Sequence, residues 1–238
     1  MKLHLLGING PFPERNGLTS GYLLESGGSL FQFDLGSGTL GALTARTAPE
    51  SLDALFLSHW HFDHTADVPV LMYRLQALGK NLPVFGPADP SSSMYRLVSS
   101  ADCFVFTEIS PGQVLNLGRS EIRINHARHP VPAVGFRVTA DERIFGYTGD
   151  TNTVPGLAGE YMNCHLLLAD GLFPADAWSE EKPHLSARLA ASLASDAKAD
   201  RLIITHLNPL IPLRPLLDEA RSVHPRTQLA QAGASVEV

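Results

Sequence analysis

Leu55-Phe56-Leu57-Ser58-His59-Trp60-His61-Phe62-Asp63-His64 decides how this chain is read. Four groups able to bind a metal stand within six residues, directly behind a short apolar run of the kind that forms a buried strand. If the chain stays extended, His59 and His61 project to one side, because side chains two apart share a face. The turn that follows carries Asp63 and His64 toward a second nearby point. Imidazole nitrogen with carboxylate oxygen is a ligand set that suits zinc, manganese or iron. The competing reading is a run of solvated loop histidines, and the remainder of the chain weighs against it.

A metal site needs more than one loop, and three other groups stand where a second and third loop would supply them. His129 follows the expected strand Glu121 to Ala127, Asp150 follows Arg143 to Tyr147, and His206 follows Leu202 to Thr205. Each places a ligand-type side chain at the end of an apolar run, where the backbone is anchored and the tip is free. Singly, each serves as well as a hydrogen-bonded structural residue. Three of them in this order behind the histidine-rich segment favour a metal site.

Strand-like and helix-like runs alternate along the whole chain, without repeats or low-complexity linkers. Tyr22 to Glu25 and Leu30 to Asp34, separated by Ser26-Gly27-Gly28-Ser29, read as a hairpin. A short helix starts near Gly36 to Thr39. Val68, Leu71, Met72, Leu75 and Leu78 fall at helical spacing, with Gly79 as C-cap. A strand over Pro83 to Gly86 and a short helix over Met94 to Val98 follow. Strands are then expected at Val114 to Leu117, Glu121 to Ala127, Ala133 to Val138 and Arg143 to Tyr147. Leu166 to Ala169 and Leu202 to Thr205 read as buried strands, with a helix over Ser186 to Ala199 between them and Ser186 as its N-cap. The alternation suggests two sheets between helical layers, while periodicity by itself supports only one mixed α+β domain, spanning 1–238.

At 238 residues with 44% hydrophobic and 18% charged residues, the chain has enough apolar side chains for one large core. Two cysteines, Cys103 and Cys164, are too few for a disulfide framework, and no run of about 18 apolar residues could span a membrane. The cytoplasm is the expected location. A formal net charge of −6 argues against a large nucleic acid as partner, since such surfaces are basic. The densest cationic group, Arg119, Arg123 and Arg128, is thin.

The segment His59 to His64, followed by a separate His, an Asp and a last His, resembles the metallo-β-lactamase superfamily. The resemblance covers nearly the whole chain, from Phe33-Asp34-Leu35-Gly36 to Thr205-His206-Leu207. It implies a four-layer αββα sandwich with the site where the sheets meet. It implies His59, His61 and His129 on one metal, Asp63, His64 and His206 on another, and Asp150 bridging the two. It also implies a homodimer. The histidine at 61 is the residue that hydrolytic members keep, whereas redox di-iron members carry an acid there.

Several segments are most similar to the RNase Z-like phosphodiesterase branch: Phe33 to Thr39, His129 to Arg137, and His184-Leu185-Ser186-Ala187 ahead of a helix. His184 matches that branch's catalytic histidine. Asp170 stands where the tRNA-processing enzymes have a glutamate, one methylene longer. Thr65-Ala66-Asp67 lacks the glycine pair of many thiolester and lactone hydrolases and resembles a small bacterial subgroup that includes cyclic-nucleotide phosphodiesterases. The long basic arm of tRNA-processing members is missing: Pro83 to Val105 is short, with Arg96 its only basic residue.

The function implied is hydrolysis of a small phosphodiester, for example cyclic AMP. Two divalent ions, zinc with manganese or iron as alternatives, sit about 3.5–4 Å apart and share a hydroxide that attacks phosphorus. His184 is the candidate general acid with Asp170 orienting it, and Asp63 belongs to the catalytic group as well as to the ligands. Lactonase or thiolesterase activity on the same metals, tRNA 3′-processing and a non-catalytic metal-binding module are the alternatives. Asp34 is expected to support the metal loop rather than bind metal, and Asp67 either to orient a ligand histidine or to cap the next helix. Trp60 and Phe62 line a base-binding wall or pack in the core, and Arg128, Arg137 and Arg143 are candidates to meet phosphate. His4, His126, His165 and His224 are expected to be structural.

Overall fold

Along Ala54-Leu55-Phe56-Leu57 the side chains alternate between two cores, Ala54 and Phe56 entering one and Leu55 and Leu57 the other. Leu166-Leu167-Leu168-Ala169 does the same, with Leu166 and Leu168 in the shared core and Leu167 and Ala169 in a third. Both runs are therefore strands buried on two faces, each covered by a sheet on one side and helices on the other. The computed structural model describes residues 1–238.

The strands are β1 (Lys2–Gly7), β2 (Gly21–Ser26), β3 (Ser29–Leu35), β4 (Ala54–Phe56), β5 (Leu82–Pro87), β6 (Phe104–Ile109), β7 (Val114–Leu117), β8 (Ser120–His126), β9 (Val134–Ala140), β10 (Arg143–Tyr147), β11 (Leu166–Asp170), β12 (Leu202–Thr205), β13 (Thr227–Leu229) and β14 (Ser235–Glu237). The helices are α1 (Thr39–Thr44), α2 (Phe62–Thr65), α3 (Val68–Leu78), α4 (Ser93–Ser100), α5 (Leu157–Glu160), α6 (Ala187–Asp196) and α7 (Leu213–Arg221). One seven-stranded sheet runs β14-β1-β2-β3-β4-β5-β6 and the other β13-β12-β11-β10-β9-β8-β7. Each pairs antiparallel over its hairpin half, then parallel from β3 to β6 and from β10 to β13. Parallel neighbours need crossovers, and the helices supply them.

Phe33 at the centre of the inter-sheet core meets Phe56 and Phe136 at 5.2 Å and Phe145 at 6.0 Å, so rings from both sheets interlock. Leu43, Leu71, Leu75 and Val98 cover the outer face of the first sheet, and the alanine-rich side of α6 covers the second. The order is thus helix, sheet, sheet, helix, the sandwich of metallo-β-lactamase type. No helix is long and apolar enough to cross a membrane.

Most expected elements form within one or two residues, and Ser186 caps α6 by accepting from Leu189 N at 3.2 Å. Strand β8 stops at His126 and β9 starts at Val134, which frees the loop carrying His129. The strand ahead of the histidines ends at Phe56, so His59 and His61 converge through a loop and not through strand alternation. Elements α2, β6, α5, α7, β13 and β14 lie beyond the expectations. The two last strands are three residues long, too short to show a period, and α7 carries Pro215 in its first turn.

Candidate metal centre

The centre sits at the ends of β4, β8, β10, β11 and β12, where loops leave both sheets side by side. After β4 the chain passes through Ser58 and His59, and α2 begins directly behind His61, so Asp63 and His64 ride in its first turn. Asp34 ends up behind this loop with φ of 53°, and His206 follows β12 with φ of 57°. Both are non-glycine residues in the left-handed region, a strain that clusters at functional sites. Gly10 packs so tightly on the His206 ring that a Cβ there would lie 2.1 Å from Nε2, hence a glycine.

Two groups of candidate ligand atoms face one another. In the first, His61 Nδ1 lies 3.0 Å from His59 Nε2 and 3.1 Å from His129 Nε2. In the second, His206 Nε2 lies 3.0 Å from Asp63 Oδ2 and 3.2 Å from Asp150 Oδ2, while His64 Nε2 lies 3.3 Å from Asp150 Oδ2. Asp150 Oδ2 is also 3.7 Å from His59 Nε2, between the two groups. Bonds of about 2.0–2.1 Å to a tetrahedral ion put neighbouring donors about 3.3 Å apart, close to these spacings. His64 Nε2 is buried without a hydrogen-bond partner, an arrangement that a cation satisfies. The residues present fit divalent ions.

Outer contacts aim these donors. His64 Nδ1 faces Asp34 Oδ2 at 2.8 Å, and Asp34 also accepts from Ser58 N, Ser58 Oγ and the Tyr147 hydroxyl. His129 Nδ1 donates to Pro183 O at 3.1 Å, which leaves Nε2 as the free lone pair. Burial pushes the His59 imidazole well below its usual range and lowers those of His61 and His129, keeping them neutral as ligands must be. At His64, burial is outweighed by the Asp150, Asp34 and Asp63 carboxylates, which draw it well upward. The second group therefore attracts positive charge.

Beside both groups stands His184, whose Nδ1 is 2.8 Å from Asp170 Oδ2 and 3.7 Å from Asp150 Oδ2. Its ring stacks on His206 at 4.8 Å, and its Nε2 reaches solvent without a partner in the chain. The aspartate at 170, although a methylene short of glutamate, makes the contact. It is fixed in turn by accepting from Thr151 N at 3.1 Å and Leu172 N at 3.3 Å. Burial works against protonation of His184, but the Asp170 carboxylate offsets it and holds the imidazole raised to about 9.

Six of the ten histidines gather here. The other four hold structure: His4 bonds Glu25 and Ser235, His126 bonds Glu160, His165 accepts from Ile144 N, and His224 bonds Ala199 O. Asp67 takes neither expected role, because its carboxylate accepts from Leu40 N of α1 and makes no cap for α3. Trp60 is core, bonded to Pro87 O, whereas Phe62 is 66% exposed beside His61. Of the three arginines only Arg128 adjoins the site, and its guanidinium donates to Glu180 O; Arg137 bonds Thr139 and Arg143 is exposed. Asn152 adds a contact that no motif in the sequence marks. Fully buried, it donates to Lys182 O and Ser179 O and so docks the loop leading to His184. A lone asparagine near an aspartate leaves no spacing signal for this.

The family described as a beta-lactamase superfamily domain matches residues 32–207. The probable metallo-hydrolase YhfI of Bacillus subtilis (strain 168) is 32% identical over 213 residues, 87% of each chain. The YhfI crystal structure covers 99% of this chain and 98% of its own, with a TM-score of 0.92 at 30% identity. Ribonuclease Z of Methanopyrus kandleri is 25% identical over 272 positions, covering 99% of this chain and 97% of its own. The short form of human tRNase Z has the same fold, with a TM-score of 0.80 at 18% identity over 100% of this chain and 99% of that one.

Proposed function

This chain belongs to the beta-lactamase superfamily and is a metal-dependent hydrolase, and from that premise we propose that it cleaves a small phosphodiester, that of a nucleotide. The observation that carries this reading is the His184–Asp170 contact of 2.8 Å at the rim of two ligand groups. An ester oxygen leaving phosphorus needs a proton, and His184 offers one from Nε2 while Asp170 holds the ring by Nδ1.

His59, His61 and His129 would hold one divalent ion and Asp63, His64 and His206 another, with Asp150 beside both groups; such ions, zinc in our reading, would activate a water and draw charge from the phosphate oxygens. As a water oxygen bonds to phosphorus and releases a proton to solvent, the ester P–O bond breaks and the leaving oxygen takes the proton that His184 holds at Nε2; solvent then returns a proton to His184. Asp170 keeps the imidazole in the tautomer and orientation for this transfer. Asn152 and the His129–Pro183 bond keep the His184 loop against the centre.

The ribonuclease Z relatives act, by name, on RNA. Their alignment runs over 272 positions against 238 residues here, so they carry chain that this protein lacks. With a net charge of −6, this surface repels a polyanion, which favours the small substrate.

Parallel assays of the metal-loaded protein on bis(p-nitrophenyl) phosphate, nucleotide diesters, a lactone and a thiolester test the reading. Phosphodiester turnover well above the others is expected, and on the nucleotide diesters, whose alkoxide leaving groups need the proton, it should fall by about 10²–10⁴ in His184→Ala with bound metal unchanged. Lactone or thiolester turnover far above phosphodiester turnover overturns it.

A further inference from the structure

The second ligand group is buried apart from half-buried Asp63, while His61 and His129 of the first are both half-buried, so a substrate approaches past those two. A cavity opens at each of them. The one at His129 has a volume of about 700 Å³ and is walled by Pro87, Pro111, Pro130, Pro132 and Pro155. No carboxylate lines it, although the chain carries 24 acidic residues, and Arg128 is its one fixed cation. Such a volume suits a ligand of nucleoside size, and rigid proline faces suit a flat apolar ring. The cavity at His61 is smaller, about 250 Å³, and is lined by Ser91, Ser92, Ser93 and Asp89 beside Phe62. Its walls offer serine hydroxyls, with the Asp89 carboxylate held by Ser91 N and Oγ and no lysine or arginine in the lining, so they suit an alcohol and not a second phosphate.

Val131 borders both cavities, and the two histidines that line them, His129 and His61, approach each other at 3.1 Å between Nε2 and Nδ1. A phosphorus held against that pair has one substituent running to each side of Val131. A 3′,5′-cyclic nucleotide carries both ester oxygens on one sugar, and it fills only one of the two cavities. Resting on the phosphodiester reading above, we infer that the substrate is a linear, unsymmetrical diester, with a nucleoside in the proline-walled cavity at His129 and a small hydroxyl-bearing alcohol in the serine-lined cavity at His61.

The test uses metal-loaded protein and three diesters: the p-nitrophenyl ester of thymidine 5′-monophosphate, methyl p-nitrophenyl phosphate and 3′,5′-cyclic AMP. The nucleoside ester is expected to exceed both others in kcat/KM by at least about tenfold. Val131→Trp, and Ala88→Phe at an exposed position of the same cavity, should each lower the ratio of nucleoside to methyl ester by at least about tenfold. Binding of thymidine 5′-monophosphate, followed by calorimetry without turnover, should weaken by a similar factor in both variants. Cyclic AMP preferred over the open esters, or a ratio and a binding constant unmoved by either variant, overturns the inference. If no phosphodiester is cleaved yet nucleotide binding still responds to both variants, the proposed reaction falls and the cavity assignment stands.

Discussion

Tyr147, on β10 of the second sheet, donates its hydroxyl at 2.6 Å to Asp34 Oδ2 of the first, the same oxygen that faces His64 Nδ1 at 2.8 Å. A reciprocal tie runs the other way, where Tyr22 of β2 reaches the Thr205 hydroxyl at 2.8 Å, one residue before His206. The two rings pack edge to face at 5.0 Å in the inter-sheet core. Each sheet thus steadies a candidate ligand that the other contributes. Burial, with the Asp34 carboxylate beside it, pushes the Tyr147 phenol well above its ordinary range and keeps it a donor.

Tyr147→Phe keeps the ring and removes only this donor. Asp34 is fully buried and loses one partner, a change worth about 1–3 kcal/mol. The denaturation midpoint should fall accordingly, and metal affinity, measured by chelator competition, should weaken by about 10–100-fold. Unchanged affinity would show that Ser58 alone fixes Asp34.

Stability of the metal-free protein should depend on pH through His184. Its folded value, about 9, lies above the ordinary histidine value of 6.5, so protonation favours the folded state. The contribution is fully present below about pH 6.5 and is lost as pH rises through about 9. Asp170→Asn removes the carboxylate that raises His184 and should flatten the profile between those limits. Thermal midpoints of the chelated protein across this range, with and without the substitution, check it.

Metal removal should destabilise the fold as well as abolish turnover. Asp34, Asp63, Asp150 and Asp170 crowd one largely buried region, and divalent ions offset their mutual repulsion. A chelator should lower the melting temperature, and adding zinc or manganese back should restore it in proportion to saturation. A melting temperature indifferent to chelator would place the ions outside this cluster.

Phe33→Ala should be among the most damaging core substitutions, costing about 3–5 kcal/mol in denaturant titrations. The ring contacts Phe56 of its own sheet and Phe136, Phe145 and Tyr147 of the other, so its loss opens a cavity between the sheets. A loss of under about 1 kcal/mol would mean that the sheets close over the gap.

The sequence by itself determined that His59, His61, Asp63 and His64 lie together, because neighbours in a tight loop stay close whatever the rest of the chain does. It also marked His129, Asp150 and His206, since each follows an apolar run, and strand ends are where anchored backbone releases a free side chain. Tertiary structure alone decided that these remote groups meet within hydrogen-bond distance, because this depends on the pairing of β10, β11 and β12 and on the packing of two sheets. It also decided the Tyr147–Asp34 tie, the docking of the His184 loop by Asn152, the place of Asp67 against α1, and the two cavities beside Val131. Side chains that bond distant backbone leave no period and no spacing in a sequence, and the space between loops belongs to no single segment of it.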